Sequence, residues 1–118
     1  EKNRVNECEN IYGDTYEKEE DAVYGIGNNV TFSYDKVDFV DGVTKLVICG
    51  RTELDNNTIH VRFRNGDRIV NKIIEFPYSE QFIEREYDIC DITGMYDDVS
   101  FIFLPGSRFD FSWFKFMK

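Results

Sequence analysis

Two groups of side chains in this sequence are spaced to do chemistry: acids on one face of a strand, and aromatics beside amide and carboxylate groups at loop ends. Glu17 and Glu19 lie two residues apart within Asp14-Thr15-Tyr16-Glu17-Lys18-Glu19-Glu20-Asp21. Residues i and i+2 of a strand share a face. The two carboxylates can therefore converge on a hard cation such as calcium, which takes carboxylate and carbonyl oxygens from flexible loops. The same segment also reads as a solvated, charged edge strand. Tyr12, Tyr24, Tyr78, Phe82, Tyr87 and Tyr96 sit near loops, with Asn28, Asn29 and Asp110 as polar partners. Aromatic faces turned to sugar C–H groups and flanked by such hydrogen-bonders are the chemistry of carbohydrate recognition. Buried in a β-rich core, the same rings supply packing area instead.

Catalytic constellations are absent. His60 is the single histidine, and it falls on the outward side of an alternating stretch, where an exposed surface role outweighs that of a general base. No Gly-x-Ser-x-Gly, His-Glu-x-x-His or phosphate loop occurs. With 23 acids in 118 residues, a carboxylate pair of glycosidase type carries no weight, because such pairs arise by chance. The domain is not expected to be an enzyme. Cys8, Cys49 and Cys90 fit no metal spacing. They read as buried thiols acting as small hydrophobes, with a Cys49–Cys90 disulfide as the alternative.

The formal charge of −9 argues against nucleic acid and anionic membrane surfaces, which select basic patches. It suits neutral ligands or bound cations. No apolar run approaches the roughly 18–20 residues that span a bilayer. The chain opens on Glu1 rather than Met and shows no signal peptide, so it reads as a mature fragment or a domain of a longer protein. Extracellular and cytoplasmic settings both fit.

These side chains must be positioned by strands. Residues 1–13 are weakly patterned and read as a linker or lead-in, leaving 14–118 as one domain. Val30 to Val40 alternates, and Lys45 to Cys49 is a compact apolar strand followed by a polar loop from Gly50 to Asn56. In Thr58-Ile59-His60-Val61-Arg62-Phe63-Arg64, Ile59, Val61 and Phe63 point in while His60, Arg62 and Arg64 point out. Asn65-Gly66-Asp67 is a hairpin turn signal. Arg68 to Phe76 returns, Pro77 breaks, and Phe82 to Cys90, Val99 to Leu104 and Phe109 to Phe116 complete the strands, with Asp91 to Asp98 connecting. Phe109, Phe111 and Trp113 share one face of the last strand at period two, and Asp110, Ser112 and Phe114 the other. Eight or nine strands, regular turn signals and no amphipathic helix predict an all-β antiparallel β-sandwich, or jelly roll.

The last strand, Phe109-Asp110-Phe111-Ser112-Trp113-Phe114-Lys115-Phe116, resembles the closing motif of family 6 carbohydrate-binding modules, Phe-Asn-Leu-Asp/Asn-Trp-Phe-x-Phe. Asp35-Lys36-Val37-Asp38-Phe39 with Gly42 and Lys45-Leu46, then Asn57 to Phe63, then Val99 to Phe103, resemble that family's central strands in order. Glu17 to Asp21 sits where the family opens with Ile-Glu-Ala-Glu-Asp. The likeness spans about residues 15–117. The Glu1–Tyr16 lead-in, with Asn10-Ile11-Tyr12-Gly13-Asp14, is also similar to the C-terminal region of large β-galactosidase-like glycoside hydrolases of family 2.

The resemblance implies a jelly roll with a structural calcium, appended to a glycoside hydrolase and binding an oligo- or polysaccharide. The family's sugar-bonding Asn falls on Asp110. Its calcium-binding acid before Trp falls on Ser112, and its platform Trp after the long hairpin on Phe82. The expected function is a non-catalytic carbohydrate-binding module. Phe82 and Tyr24 would contact sugar faces, Asn28 and Asp110 its hydroxyls, and Glu17 and Glu19 a calcium ion. The alternative is a degenerate module with a structural or dimerisation role, packed on its parent enzyme.

Overall fold

Two strands, β6 (Val43–Asn65) and β7 (Arg68–Ile92), form one long hairpin that runs through the whole molecule. The chain is described by a computed structural model covering residues 2–118; Glu1 and the side chain of Asp91 lie outside the described residues. The other strands are β1 (Asn3–Arg4), β2 (Asn10–Tyr12), β3 (Glu17–Lys18), β4 (Val23–Ile26), β5 (Val30–Asp38), β8 (Met95–Phe103) and β9 (Phe109–Met117). One 3-10 turn, Val5–Glu7, interrupts them, and among the described residues no helix is long and apolar enough to cross a membrane.

All pairings are antiparallel, in the order β2-β5-β8-β6-β9-β4-β3, with β7 added to β6 and β1 to β9. The sheet folds over on itself because β6 serves two layers. Its Ile59–Arg64 half pairs with β8, and its Lys45–Thr52 half pairs with β9. Register shifts at Gly50/Thr52 and Thr52/Asn56 mark the bend between the halves, since an extra residue in one strand bends and twists it. The result is the expected antiparallel β-sandwich.

Where a polar loop was expected from Gly50 to Asn56, the chain stays extended and bends. Likewise, Pro77 does not end its strand but lies inside β7 opposite Asn56. Among the described residues β7 pairs with β6 alone, and an edge tolerates a residue with no N–H to donate. The hairpin tip is centred on Gly66-Asp67, with Asn65 paired to Arg68. Gly66 has φ +60 and Asp67 no positive φ, so glycine takes the first central position.

The expected lead-in is built into the sheet. Asn3 and Arg4 pair with Phe114 and Trp113, Asn10 to Tyr12 pair with β5, and Val5 and Cys8 are buried in the core. Its elements are two and three residues long, too short for periodicity to register.

The last strand also departs from simple alternation. Cys49 pairs with Trp113 but Gly50 with Phe111, so Ser112 is the extra residue of a bulge. Phe109 and Phe111 face inward before it, and Phe114 joins them in the core after it. Trp113 is thereby turned to the outer side, where it packs with Val47, Cys49, Phe82 and Met117. Inside, rings from the two layers interlock: Phe32 with Phe111 at 5.7 Å, Phe101 with Phe114 at 4.5 Å, and Phe103 with Phe109 at 5.5 Å between centroids.

The free side of β7 carries its own protection. Lys72 pairs with inward-facing Val61, and Arg85 with inward-facing Ile48. Each half of this 25-residue edge thus points one cation toward the interior, a device that discourages another strand from pairing there.

Candidate functional site

The bend of β6 and β7 leaves a concavity at one end of the sandwich. The turn between β4 and β5 and the turn Leu104–Arg108 close its sides. The cleft holds about 730 Å³, and its lining includes Gly27, Asn28, Arg51, Glu53, Tyr78 and Asp110. Its frame is a set of hydrogen bonds to backbone. The Gly106 N–H donates to Asn28 Oδ1 at 2.6 Å, and the Arg108 N–H to buried Asn57 Oδ1 at 2.9 Å. The Thr52 hydroxyl donates to the Arg108 carbonyl at 2.5 Å and accepts from the Leu54 N–H at 3.1 Å. Buried polar groups satisfied in this way hold irregular backbone in one conformation.

The floor depends on one glycine. A Cβ at Gly50 would stand 2.4 Å from the Phe109 ring and 2.9 Å from the Asp110 carbonyl, so β9 approaches β6 this closely only without a side chain. Next to it, Arg51 and Asp110 are cross-strand partners. Arg51 Nε donates to Asp110 Oδ2 at 2.6 Å, and the Gly25 N–H donates to Oδ1 at 2.9 Å. Gly25, with φ +62, lies in the β4 segment where Val23 pairs with Phe111 and Ile26 with Phe109, a bulge that aims its N–H at the carboxylate.

Of the residues expected to bind sugar, Asn28 and Asp110 line the cleft, whereas Tyr24 and Phe82 do not. Those two rings meet edge to face at 6.0 Å, and the Arg51 guanidinium lies 4.8 Å from the Phe82 centroid and 5.6 Å from that of Tyr24. Phe82 also packs on the outer cluster around Trp113. The Tyr24 hydroxyl donates to Asp21 at 2.8 Å, and that hydrogen bond, ahead of burial, holds its pKa above the usual phenol value. Asn28 spends its carbonyl oxygen on Gly106, leaving its amide N–H groups for a ligand.

Glu17 lies in the exposed two-residue strand β3, and it and Glu19 border a shallow acidic depression with Glu20, Asp21 and Tyr24. Calcium takes six to eight oxygen ligands. Among the described residues no group of three or more His, Cys, Asp or Glu side chains is arranged to hold a metal. Nearby carbonyls are engaged by donors: those of Glu19 and Glu20 accept from the Asn6 amide at 3.2 and 2.7 Å, and that of Asp21 from the Ser112 hydroxyl at 3.3 Å.

His60 is half-buried on the outer face beside the Asn71 amide, 3.4 Å away. All three cysteines are free: Cys8 and Cys49 are buried, and Cys90 is exposed rather than buried as expected. Sequence reading missed Arg51 and Arg108. Arg51 was hidden in the supposed loop after Lys45 to Cys49. A charged residue directly after a core strand and a glycine was the available signal.

No family model and no curated protein matches the chain. Solved structures do. CsCBM6-3 from Clostridium stercorarium, solved with cellobiose, has a TM-score of 0.83 at 20% identity, covering 100% of this chain and 93% of that one. A family 6 carbohydrate-binding module from Clostridium cellulolyticum, in complex with xylose, gives 0.80 at 19%, covering 100% and 97%. A β-1,3-glucan-binding module of the same family from Bacillus halodurans gives 0.79 at 16%, covering 100% and 96%. At this level of identity the likeness assigns the fold, and the chain is an antiparallel β-sandwich of the type those carbohydrate-binding modules adopt.

Proposed function

We propose that this chain is a non-catalytic carbohydrate-binding module that uses the cleft at the bend of β6 and β7. The observation that carries the reading is the cleft itself. It is concave and framed by satisfied buried polar groups. Amide, guanidinium, carboxylate and phenol groups converge on it, as a small-molecule site requires. The structural neighbours support the same reading, because the proteins matched over nearly their whole length are themselves carbohydrate-binding modules.

The module tethers a glycoside hydrolase to glycan and raises the enzyme's local concentration there; the parent implied by the resemblance of residues 1–16 is a β-galactosidase-like enzyme. Calcium is not required by this reading. Binding is weak per site, millimolar to micromolar, or about −4 to −8 kcal/mol. A glycan array followed by calorimetry on the isolated domain tests it. The expected result is a saturable hit among plant or microbial polysaccharide fragments. Silence from a folded sample, with a concentration-dependent dimer in sedimentation, would replace the reading with the structural role.

A further inference from the structure

Among the described residues, the cleft contains one aromatic side chain, Tyr78, that makes no ring, cation or hydroxyl contact. Tyr78 lies in the bend of β7 between Pro77, paired with Asn56, and Ser79, paired with Thr52. It is 53% exposed and lines the cleft. Among the described residues it has no ring partner, no cation over its face and no hydrogen bond from its hydroxyl. The other aromatics nearby are committed. Phe109 is buried in the core against Phe76 and Phe103. Phe82 and Tyr24 hold each other and the Arg51 guanidinium. An exposed ring in a concave site leaves apolar surface in water with no internal contact to offset it, and a ligand ring laid on it would remove that surface from water.

The charges around it restrict what that ligand can be. The cleft is lined by the carboxylates of Glu53, Glu80 and Asp110 and by the guanidinium groups of Arg51 and Arg108. Both cations are already paired, Arg51 with Asp110 at 2.6 Å and Arg108 with Glu53 at 3.4 Å. Glu80 has no ion-pair partner among the described residues. An anionic sugar would find no uncommitted cation there and one uncompensated carboxylate, with the acidic depression of Glu17, Glu19, Glu20 and Asp21 near the Arg51 side through Tyr24.

We propose that Tyr78, rather than Phe82, is the platform on which a sugar ring lies, and that the cleft takes neutral pyranosides and rejects uronic and sulfated ones. This inference rests on the cleft being the carbohydrate site.

The test is calorimetric titration of the wild type, Tyr78→Ala, Tyr78→Phe and Phe82→Ala with cellotetraose, xylotetraose, a β-1,3-gluco-oligosaccharide and oligogalacturonate. Circular dichroism confirms the fold of each variant. Tyr78→Ala should weaken the neutral ligand at least tenfold, while Tyr78→Phe, which keeps the ring, stays within about threefold of wild type. Phe82→Ala, which removes a ring outside the cleft that packs on Arg51, should weaken the neutral ligand by no more than about threefold, and oligogalacturonate should not bind at all. Neutral-sugar binding that survives Tyr78→Ala, or is abolished by Phe82→Ala instead, overturns the platform assignment. Uronate binding as tight as neutral binding overturns the charge argument. A wild type that binds none of the four sugars overturns the underlying reading of the cleft, an outcome distinct from either.

Discussion

Asp110 accepts a hydrogen bond from Arg51 Nε at 2.6 Å across two central strands, and its second oxygen accepts the backbone N–H of Gly25 at 2.9 Å. One carboxylate therefore ties β9 to β6 and to β4 at the cleft and holds the guanidinium against the rings of Tyr24 and Phe82.

Removing that carboxylate leaves a guanidinium and a backbone N–H without their acceptor. Asp110→Ala should lower stability by about 1–2 kcal/mol, the lower part of the range for a lost charge-assisted contact, because Arg51 is exposed enough to regain water. Asp110→Asn, which still offers Gly25 an acceptor, should cost less. Urea unfolding followed by the fluorescence of Trp113 would measure both, and equal stability for all three proteins would show that the clamp is not structural.

Calcium should not change stability. The carbonyls of Glu19, Glu20 and Asp21 already accept from Asn6 and Ser112. Any ligand that binds the native state alone raises its stability with concentration. Melting temperatures in millimolar calcium and in EDTA are therefore expected to coincide. A calcium-dependent rise lost in Glu17→Gln or Glu19→Gln would place a cation at the acidic edge after all.

Stability should fall in alkali. Burial pushes the Tyr87 phenol up to about 12, with its hydroxyl donating to the Glu75 carbonyl at 3.1 Å, and burial raises Tyr34 as well. An unfolded tyrosine titrates near 10. A raised native pKa means the native state holds its proton more tightly than the unfolded chain does. The contribution is thus complete below about pH 10 and is lost as pH climbs toward 12. Urea midpoints should be flat from pH 8 to 10 and decline above, and Tyr87→Phe should make the decline shallower.

The architecture was legible because it rests on alternation. Ile59, Val61 and Phe63 are all buried, as period two requires. The site was less legible because it is made by departures from alternation. The bulge at Ser112 moves Trp113 to the opposite face from Phe109 and Phe111, and the bend at Gly50 to Asn56 brings Arg51 beside Asp110. Neither has a periodic signature. Phe82 was singled out by a motif position; its commitment to Arg51 and Trp113 depends on neighbours distant in sequence. Tyr78 was visible as a loop aromatic, but nothing in a one-dimensional pattern distinguishes an idle ring from a packed one.

The hairpin of β6 and β7 passes through both layers, and this bears on how the molecule comes apart. A sandwich whose layers were joined by loops could lose one layer and keep the other. Here each layer takes the strand beside its β7 edge from the same continuous segment, Val43–Asn65, so melting one half frees an end of the strand that the other half depends on. Loosening should be collective, and amide protons on the two sides of the bend should exchange through one shared opening event rather than two.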